Sequence, residues 1–429
     1  MIPSPIYAVV HTIPDPPLPM WTFLISTVVK MVVVFTVYMI GVAFLTLAER
    51  KISAWIQGRL GPNRVGGPLG LLQPAADGVK NIMKEETLPP HVNKPIFMLA
   101  PVLAFVPALI AAAVIPFGAP WDSRWGRITM VVADLPVGFL FTLAITSLGV
   151  YGIVLAGWSS NNKYALLGGI RSSAQMVSYE VAMGMSLIPV LLLSGNVTLN
   201  DVIDQQANMH LWNVLTLTIS FFVFTVAAFA ETNRLPFDLP EAESELITGY
   251  HTEYSAMKFS MFPISEYANM ATSSALMATL FFGGWDIPFT LQDNTTGVSF
   301  LMLLLSILIF GIKTGFFIFA FIWIRWTLPR FRYDQLMSLG WKFMLPVALA
   351  YIVIIASTIL ALDYAGIERG FVFGLVMLAV NAVLVGIVFF ILDRGRIISP
   401  AYGRASPQEI ANLRAVTTAR AHLSPQSGD

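Results

Sequence analysis

AETNRLPFDLPEAESELITGYHTEYSAMKFSMFPISEY, residues 230–267, is where this chain departs from its apolar surroundings. It joins two long apolar runs and holds seven of the 25 acidic residues: Glu231, Asp238, Glu241, Glu243, Glu245, Glu253 and Glu266. An ionisable group in lipid costs kilocalories and usually serves a function. Carboxylates gathered beside membrane-length runs therefore need compensation, and they decide how the rest is read.

Working outward, 56% of the 429 residues are hydrophobic and 12% charged, against about 25% charged in soluble domains, and the mean hydropathy is +0.71. Spanning helices need about 20 apolar residues. Nine runs qualify: 21–48, 95–118, 131–158, 174–194, 211–230, 259–283, 299–324, 343–362 and 370–392. The predicted fold is all-α, a polytopic membrane helix bundle of about nine transmembrane helices with interfacial amphipathic helices in the cytoplasmic loops. Residues 1–20 form an N-terminal segment, 21–365 a bundle of eight helices, 366–393 an additional ninth helix and 394–429 a polar tail. The run 259–283 is rich in Ala, Ser, Thr and Met, which favours close packing inside the bundle.

Lys and Arg set the orientation. The connections 49–94, 159–173, 231–258 and 325–342, with the tail, carry 17 of them away from the span edges; the opposite side carries three, Arg124, Arg127 and Arg369. That split predicts a multi-pass protein of a bacterial cell membrane, N-terminus outside and C-terminus cytoplasmic. The start has no basic n-region and does not resemble a cleaved signal peptide. The opposite connections read as short and plain. In the first loop, five glycines with Pro62 and Pro68 precede LLQPAADGVKNIMKEE. There Leu72, Ala76, Val79 and Met83 share one face of an interfacial helix.

Composition also excludes. Without cysteine there is no disulfide, iron–sulfur or zinc-thiolate ligation. The five histidines lie far apart, so no metal site is predicted. There is neither a Walker A loop nor a strand-borne GxGxxG. Zero net charge excludes a simple basic nucleic-acid binder. The chain needs redox partners if it serves redox chemistry at all.

The candidate residues each have two readings. Glu180, six residues inside a span entered at Ala174, is either a proton-exchanging carboxylate or a partner for Lys163 or Arg171. Glu266 follows Pro263 by one turn, with Tyr267 beside it as a hydrogen-bond partner. Glu231 and Arg234 are spaced for an i,i+3 pair. Glu241, Glu243 and Glu245 are either a solvated acidic loop or a cluster whose close charges raise one another's proton affinity. Arg325, Arg330 and Arg332 read as inside-positive topology, or with Arg50, Lys51 and Arg59 as a hold on a docked partner or polar head group. Asp77, opposite the apolar stripe, reads as a solvated aspartate.

Long blocks then carry a resemblance: ERKISAWIQGRLGPNRVGGPLGLLQPAADGVK, GVYGIVLAGWSSNNKYALLGGIRSSAQMVSYE, AETNRLPFDLPEAESELITGYHTEYSAMKF and PRFRYDQLM. Over about residues 20–365 the chain resembles a family of membrane subunits of bacterial respiratory complex I (NADH-quinone oxidoreductase), the counterparts of mitochondrial NADH dehydrogenase subunit 1. The resemblance implies the membrane half of a quinone chamber whose loops dock a peripheral arm carrying flavin and iron–sulfur clusters. It implies quinone as substrate, no covalently bound cofactor, and coupling of quinone reduction to proton translocation. By motif, Glu49, Arg50, Arg59, Asp77 and Arg325 match chamber residues. Glu180, Glu231, Arg234, Glu241, Glu243, Glu245, Glu253 and Glu266 match the charged path, with Tyr267 beside it. The third span carries only Asp134, near its outer edge, where some relatives carry another acid.

The implied function is that of a quinone-chamber and proton-coupling subunit of NADH:quinone oxidoreductase, with membrane and peripheral-arm subunits, quinone and lipid as partners. A quinone-independent membrane subunit of an energy-converting hydrogenase would share the fold. A stand-alone cation/proton antiporter would transport alone and would leave the elaborate loops unexplained.

Overall fold

A computed structural model describes residues 20–67, 69–123, 126–238, 249–286, 299–367 and 369–393. Its elements in chain order are α1 (Met20–Ile56), α2 (Gln73–Met83), α3 (Lys94–Ile110), a 3₁₀ turn (Ala111–Val114), β1 (Gly118–Ser123), β2 (Gly126–Met130), α4 (Gly138–Ser159) and α5 (Lys163–Ser194). Then follow α6 (Leu199–Met209), α7 (Asn213–Thr216), α8 (Thr218–Glu231), a 3₁₀ turn (Gly249–His251) and α9 (Ala256–Phe281). The last are α10 (Phe300–Thr327), α11 (Tyr333–Ser338), a π turn (Leu339–Met344), α12 (Leu345–Tyr364) and α13 (Phe371–Asp393).

Among the described residues seven helical segments are long and apolar enough to cross a membrane: α1, α3 with its 3₁₀ extension, α4, α5, α10, the stretch 333–364, and α13. The chain is an all-α polytopic membrane bundle. The two remaining predicted spans are also helical. Run 211–230 becomes α7 and the 14-residue α8, parted at Leu217. Run 259–283 becomes the 26-residue α9, buried almost continuously from Met270 to Phe281 among its own bundle. Contacts divide the chain into Met1–Leu378 and Ala379–Asp429, a division that falls within α13. The site lies wholly in the first unit.

The helices overrun the loops read from sequence. α1 reaches Ile56, so Glu49, Arg50 and Lys51 are helical rather than first residues of a connection. α5 starts at Lys163, where Asn162 caps it by accepting the Tyr164 N–H at 3.0 Å, and ends at Gly195 with φ +73°. Most of 159–173 is therefore helix. Glu180 is 17 residues from the start of that helix, about 26 Å by helical rise. Hydropathy does not distinguish a polar stretch of helix from a loop.

The reverse happens between α3 and α4. The ends of runs 95–118 and 131–158 are not helical, and a β-hairpin pairs Trp121 with Ile128. The plain connection expected here is thus a structured element. Pro116 and Pro120 cannot continue a helix, and short apolar runs do not separate helix from strand by periodicity. Lys30 of α1 donates to the carbonyls of Thr129 and Val131 at 3.1 and 3.0 Å, and Ser306 of α10 accepts the Ala119 N–H at 3.0 Å. A lysine within an apolar helix is thereby satisfied by backbone.

α2 forms as the stripe predicts, but Leu72, Val79, Ile82 and Met83 remain exposed. On α1 the few buried residues, Val42, Leu47, Glu49, Ser53 and Ala54, all lie in its C-terminal half. That half meets α9, where the Tyr38 hydroxyl donates to the Ala268 carbonyl at 2.7 Å and sits 2.8 Å from the Thr272 hydroxyl. Backbones approach closely where glycines allow it. A Cβ on Gly152 of α4 would lie 2.6 Å from the Ala104 nitrogen of α3, and one on Gly168 of α5 would lie 2.8 Å from the Gly249 Cα. The second contact seats the 3₁₀ turn against α5. Tyr254 then stacks on Phe97 at 3.9 Å and donates its hydroxyl to the Phe97 carbonyl at 3.1 Å.

Candidate functional site

Four segments far apart in sequence meet at one end of the bundle. α1 brings Glu49, the turn after α8 brings Arg234, α9 brings Glu266 and Tyr267, and the last turn of α10 brings Arg325. These residues line a cavity of about 490 Å³, together with Arg50, Ser53, Arg59, Asn233, Asp238, His251, Phe259, Pro263 and Trp326. The volume falls within the range of small-molecule sites. The lining mixes charged groups with rings and prolines, which suits an amphiphile with a polar head.

Glu49 is the hub. It is 5% exposed and pairs with Arg234 at 2.9 Å and, more closely, with Arg325. Arg234 is also buried; its Nε lies 4.0 Å from Glu266, and its guanidinium sits 4.1 Å above the Tyr267 ring. Tyr267 thus stands beside both Glu49 and Arg234 in the lining. Burial works against the Arg234 charge, but Glu49, Tyr267 and Glu266 more than offset it and hold the group above the ordinary arginine value. The described lining carries four arginines against three carboxylates, Glu49, Asp238 and Glu266, a balance of 4 − 3 = +1. Buried charges persist only when paired, and here Glu49 holds both Arg234 and Arg325, while Arg234 Nε has no hydrogen-bond partner among the described residues.

The structure brings together most, not all, of the residues singled out from sequence. Arg234 does not serve Glu231 as an i,i+3 partner; it turns to Glu49 and Glu266. Asp77 is not a free solvated aspartate: Arg50 donates to it at 2.6 Å and Gln73 at 3.2 Å, which ties α2 to α1 at the cavity rim. Arg330 lies 3.5 Å from Asp238. Glu253 stands outside the cavity lining, accepting from Asn162 at 2.9 Å with His91 at 3.9 Å. Glu241, Glu243 and Glu245 lie outside the described residues.

Glu180 and Glu231 form a second site away from the lining. Ser147 of α4 donates to Glu180, and Glu231 lies near Thr146 of α4 and feels the Glu180 charge. Neither Lys163 nor Arg171 is the partner found for Glu180. Asp134 instead stands near Lys30. The third span thus contributes hydroxyls, not an acid, to the buried carboxylates. Sequence reasoning missed Thr146 and Ser147, and their signal was a polar pair within AITSLGV. It also missed Asp238, Asn233 and His251 as lining residues.

The fold and the two charged sites define a multi-pass membrane protein with a charged, ligand-sized chamber among its helices. A sequence model of the family described as NADH dehydrogenase matches residues 29–356. An NADH-quinone oxidoreductase subunit from Cytophaga hutchinsonii is 47% identical over 342 residues, covering 79% of this chain and 98% of that one. An NADH-quinone oxidoreductase subunit from Leptospira biflexa is 50% identical over 347 residues, 79% and 95%. NADH-ubiquinone oxidoreductase chain 1 of Chondrus crispus is 48% identical over 342 residues, 80% and 99%. This chain belongs to the NADH dehydrogenase family. The family match ends before α13.

Proposed function

We propose that this chain is the membrane subunit of a proton-pumping NADH:quinone oxidoreductase that forms the membrane side of the quinone chamber and couples quinone reduction to proton translocation. The observation that carries the reading is the Glu49–Arg234–Arg325 cluster, backed by Glu266 and Tyr267, on the wall of a 490 Å³ cavity. The relatives' names support it, and none points to a hydrogenase or an antiporter.

Quinone enters from lipid, and its head meets guanidiniums already held by carboxylates. A negative charge gained on reduction is stabilised by Arg234 and Arg325, and it weakens their hold on Glu49 and Glu266. Those carboxylates then bind protons more readily, since an opposite charge drawn away raises a carboxylate's proton affinity. Glu180 and Glu231, with the acids at 241, 243 and 245 and Glu253, continue the path. The lining arginines Arg50 and Arg59 and the Asp77 bridge shape the mouth. Electrons come from flavin and iron–sulfur clusters on partner subunits, and this chain carries no redox centre. The site end faces the cytoplasm in a bacterial cell membrane, with the N-terminus outside and the C-terminus inside.

Arg325→Ala in the assembled complex tests this. Quinone reduction should fall about tenfold or more, or ~1.4 kcal/mol, while NADH oxidation by ferricyanide persists. Unchanged quinone kinetics in an assembled variant would remove Arg325 from the chamber.

A further inference from the structure

One buried amide ties to α5 the turn that carries residues of both sites. Gln175 of α5 is fully buried and does not line the cavity. Its side-chain NH₂ donates to the Ala230 carbonyl at 2.9 Å, the Asn233 side-chain oxygen at 3.1 Å and the Phe237 carbonyl at 2.8 Å. Ala230 and Phe237 bracket the whole turn that leaves α8. A single group therefore pins both ends of that turn to the same point on α5. Asn233 sits between them with φ +49°, a left-handed conformation that asparagine tolerates better than most residues. Its own NH₂ returns to the Ser172 hydroxyl of α5 at 3.1 Å.

The pinned turn faces two ways. Glu231, on its first residues, is directed to Thr146 of α4. Arg234, three residues later, is directed to Glu49 of α1. Backbone bonds inside the turn, Arg234 N to the Phe229 carbonyl at 3.3 Å and Phe237 N to the Arg234 carbonyl at 2.8 Å, close it locally but do not fix it to the bundle. The bonds that fix it to α5 come from Gln175 and Asn233.

We infer that Gln175 is a positioning residue for quinone reduction: from outside the cavity lining, and through Asn233 and the turn carbonyls, it sets the direction of Arg234 into the chamber. This rests on the chamber reading given above. The amide is required because the turn presents two carbonyls and one amide oxygen, all acceptors. Only a donor with two hydrogens in one plane, one of them shared, serves three acceptors at once. Leucine matches its bulk and supplies none, and glutamate replaces the NH₂ donor with a second carboxylate oxygen facing three acceptors.

The test is a double-mutant cycle in the assembled complex, with ferricyanide-linked NADH oxidation as the measure of assembly. Gln175→Leu should lower kcat/KM for a short-chain quinone at least fivefold, Arg234→Met at least tenfold. The combined variant should be within twofold of Arg234→Met, since Gln175 acts through that arginine. Two drops that multiply, or a Gln175→Leu enzyme with normal quinone kinetics, overturn the inference. If Gln175→Leu does not assemble, Gln175→Met takes its place in the cycle. It keeps the length of the side chain and removes the NH₂ donor, and the same non-additivity is required of it. Arg234→Met with full quinone activity would instead strike the chamber reading itself, so the two failures are distinct.

Discussion

Glu49→Gln is the sharpest single perturbation of the chamber. The carboxylate is 5% exposed and serves two guanidiniums at once. Removing one member of a buried ion pair costs about 3–5 kcal/mol, because the other charge is left without compensation. Two features lower that figure here. Arg234 keeps Glu266 at 4.0 Å, and the Arg325 side chain is 24% exposed and draws on solvent. About 2 kcal/mol of folding stability is therefore lost, and quinone reduction is expected to fall on the order of 30-fold in kcat/KM, or ~2 kcal/mol. The assay is quinone reduction by the assembled complex, normalised to ferricyanide-linked NADH oxidation.

The discriminating arm is Glu49→Gln combined with Arg325→Met. Replacing both partners of a buried pair is far milder than breaking it. If Glu49 acts as a counter-charge, the double variant recovers at least about threefold over Glu49→Gln, or ~0.7 kcal/mol. If the losses of the two single variants multiply, the counter-charge reasoning is refuted, and Glu49 must act by some route independent of Arg325.

Glu231→Gln should depress quinone-linked turnover and proton pumping by about tenfold, ~1.4 kcal/mol, with ferricyanide reduction intact; normal pumping would remove the Glu180–Glu231 site from the path. Gly152→Ala places a methyl 2.6 Å from the Ala104 backbone nitrogen, so about 1–3 kcal/mol of overpacking should appear as a lower melting temperature of the complex. An unchanged melt would mean that α3 and α4 separate freely. Tyr254 has its pKa pushed up to about 12 by burial, partly opposed by its bond with Ser159. A folded value above the unfolded ~10 means that its stabilisation is complete below pH ~10 and is lost as pH rises to about 12. Tyr254→Phe should cost about 1 kcal/mol near neutrality and abolish that alkaline part of the melting profile.

Much of the fold was legible because hydropathy reports burial in lipid directly. Each predicted span from 21–48 to 370–392 falls on helix over most of its length, and the amphipathic stripe from Leu72 to Met83 marks α2. What hydropathy could not supply was the extent of each helix. Glu49 on α1 and the stretch from Lys163 to Arg171 on α5 read as loop because charged residues and the glycine pair Gly168 and Gly169 interrupt the apolar runs, whereas the backbone continues through them. The hairpin from Gly118 to Met130 was hidden for the converse reason, its apolar residues extending the neighbouring runs.

The site shows a sharper limit. Sequence neighbours suggested that Arg234 belongs to Glu231, and on a continuous helix that spacing would have brought them together. The helix stops at Glu231, however, and the turn through Asn233 reverses the next side chain. Arg234 therefore finds a carboxylate 185 residues away in sequence, and Glu231 finds a hydroxyl on α4. The residue types were readable because ionisable groups in a greasy chain are conspicuous. Their pairing was not, because it is set by Gln175, an uncharged amide on a third helix whose only distinction is the acceptors it meets. An arginine turned away from its nearest acid in this way lines the chamber, while its neighbour stands beside Glu180 at the second site. That division of labour across three residues is what joins the two sites in one turn of chain.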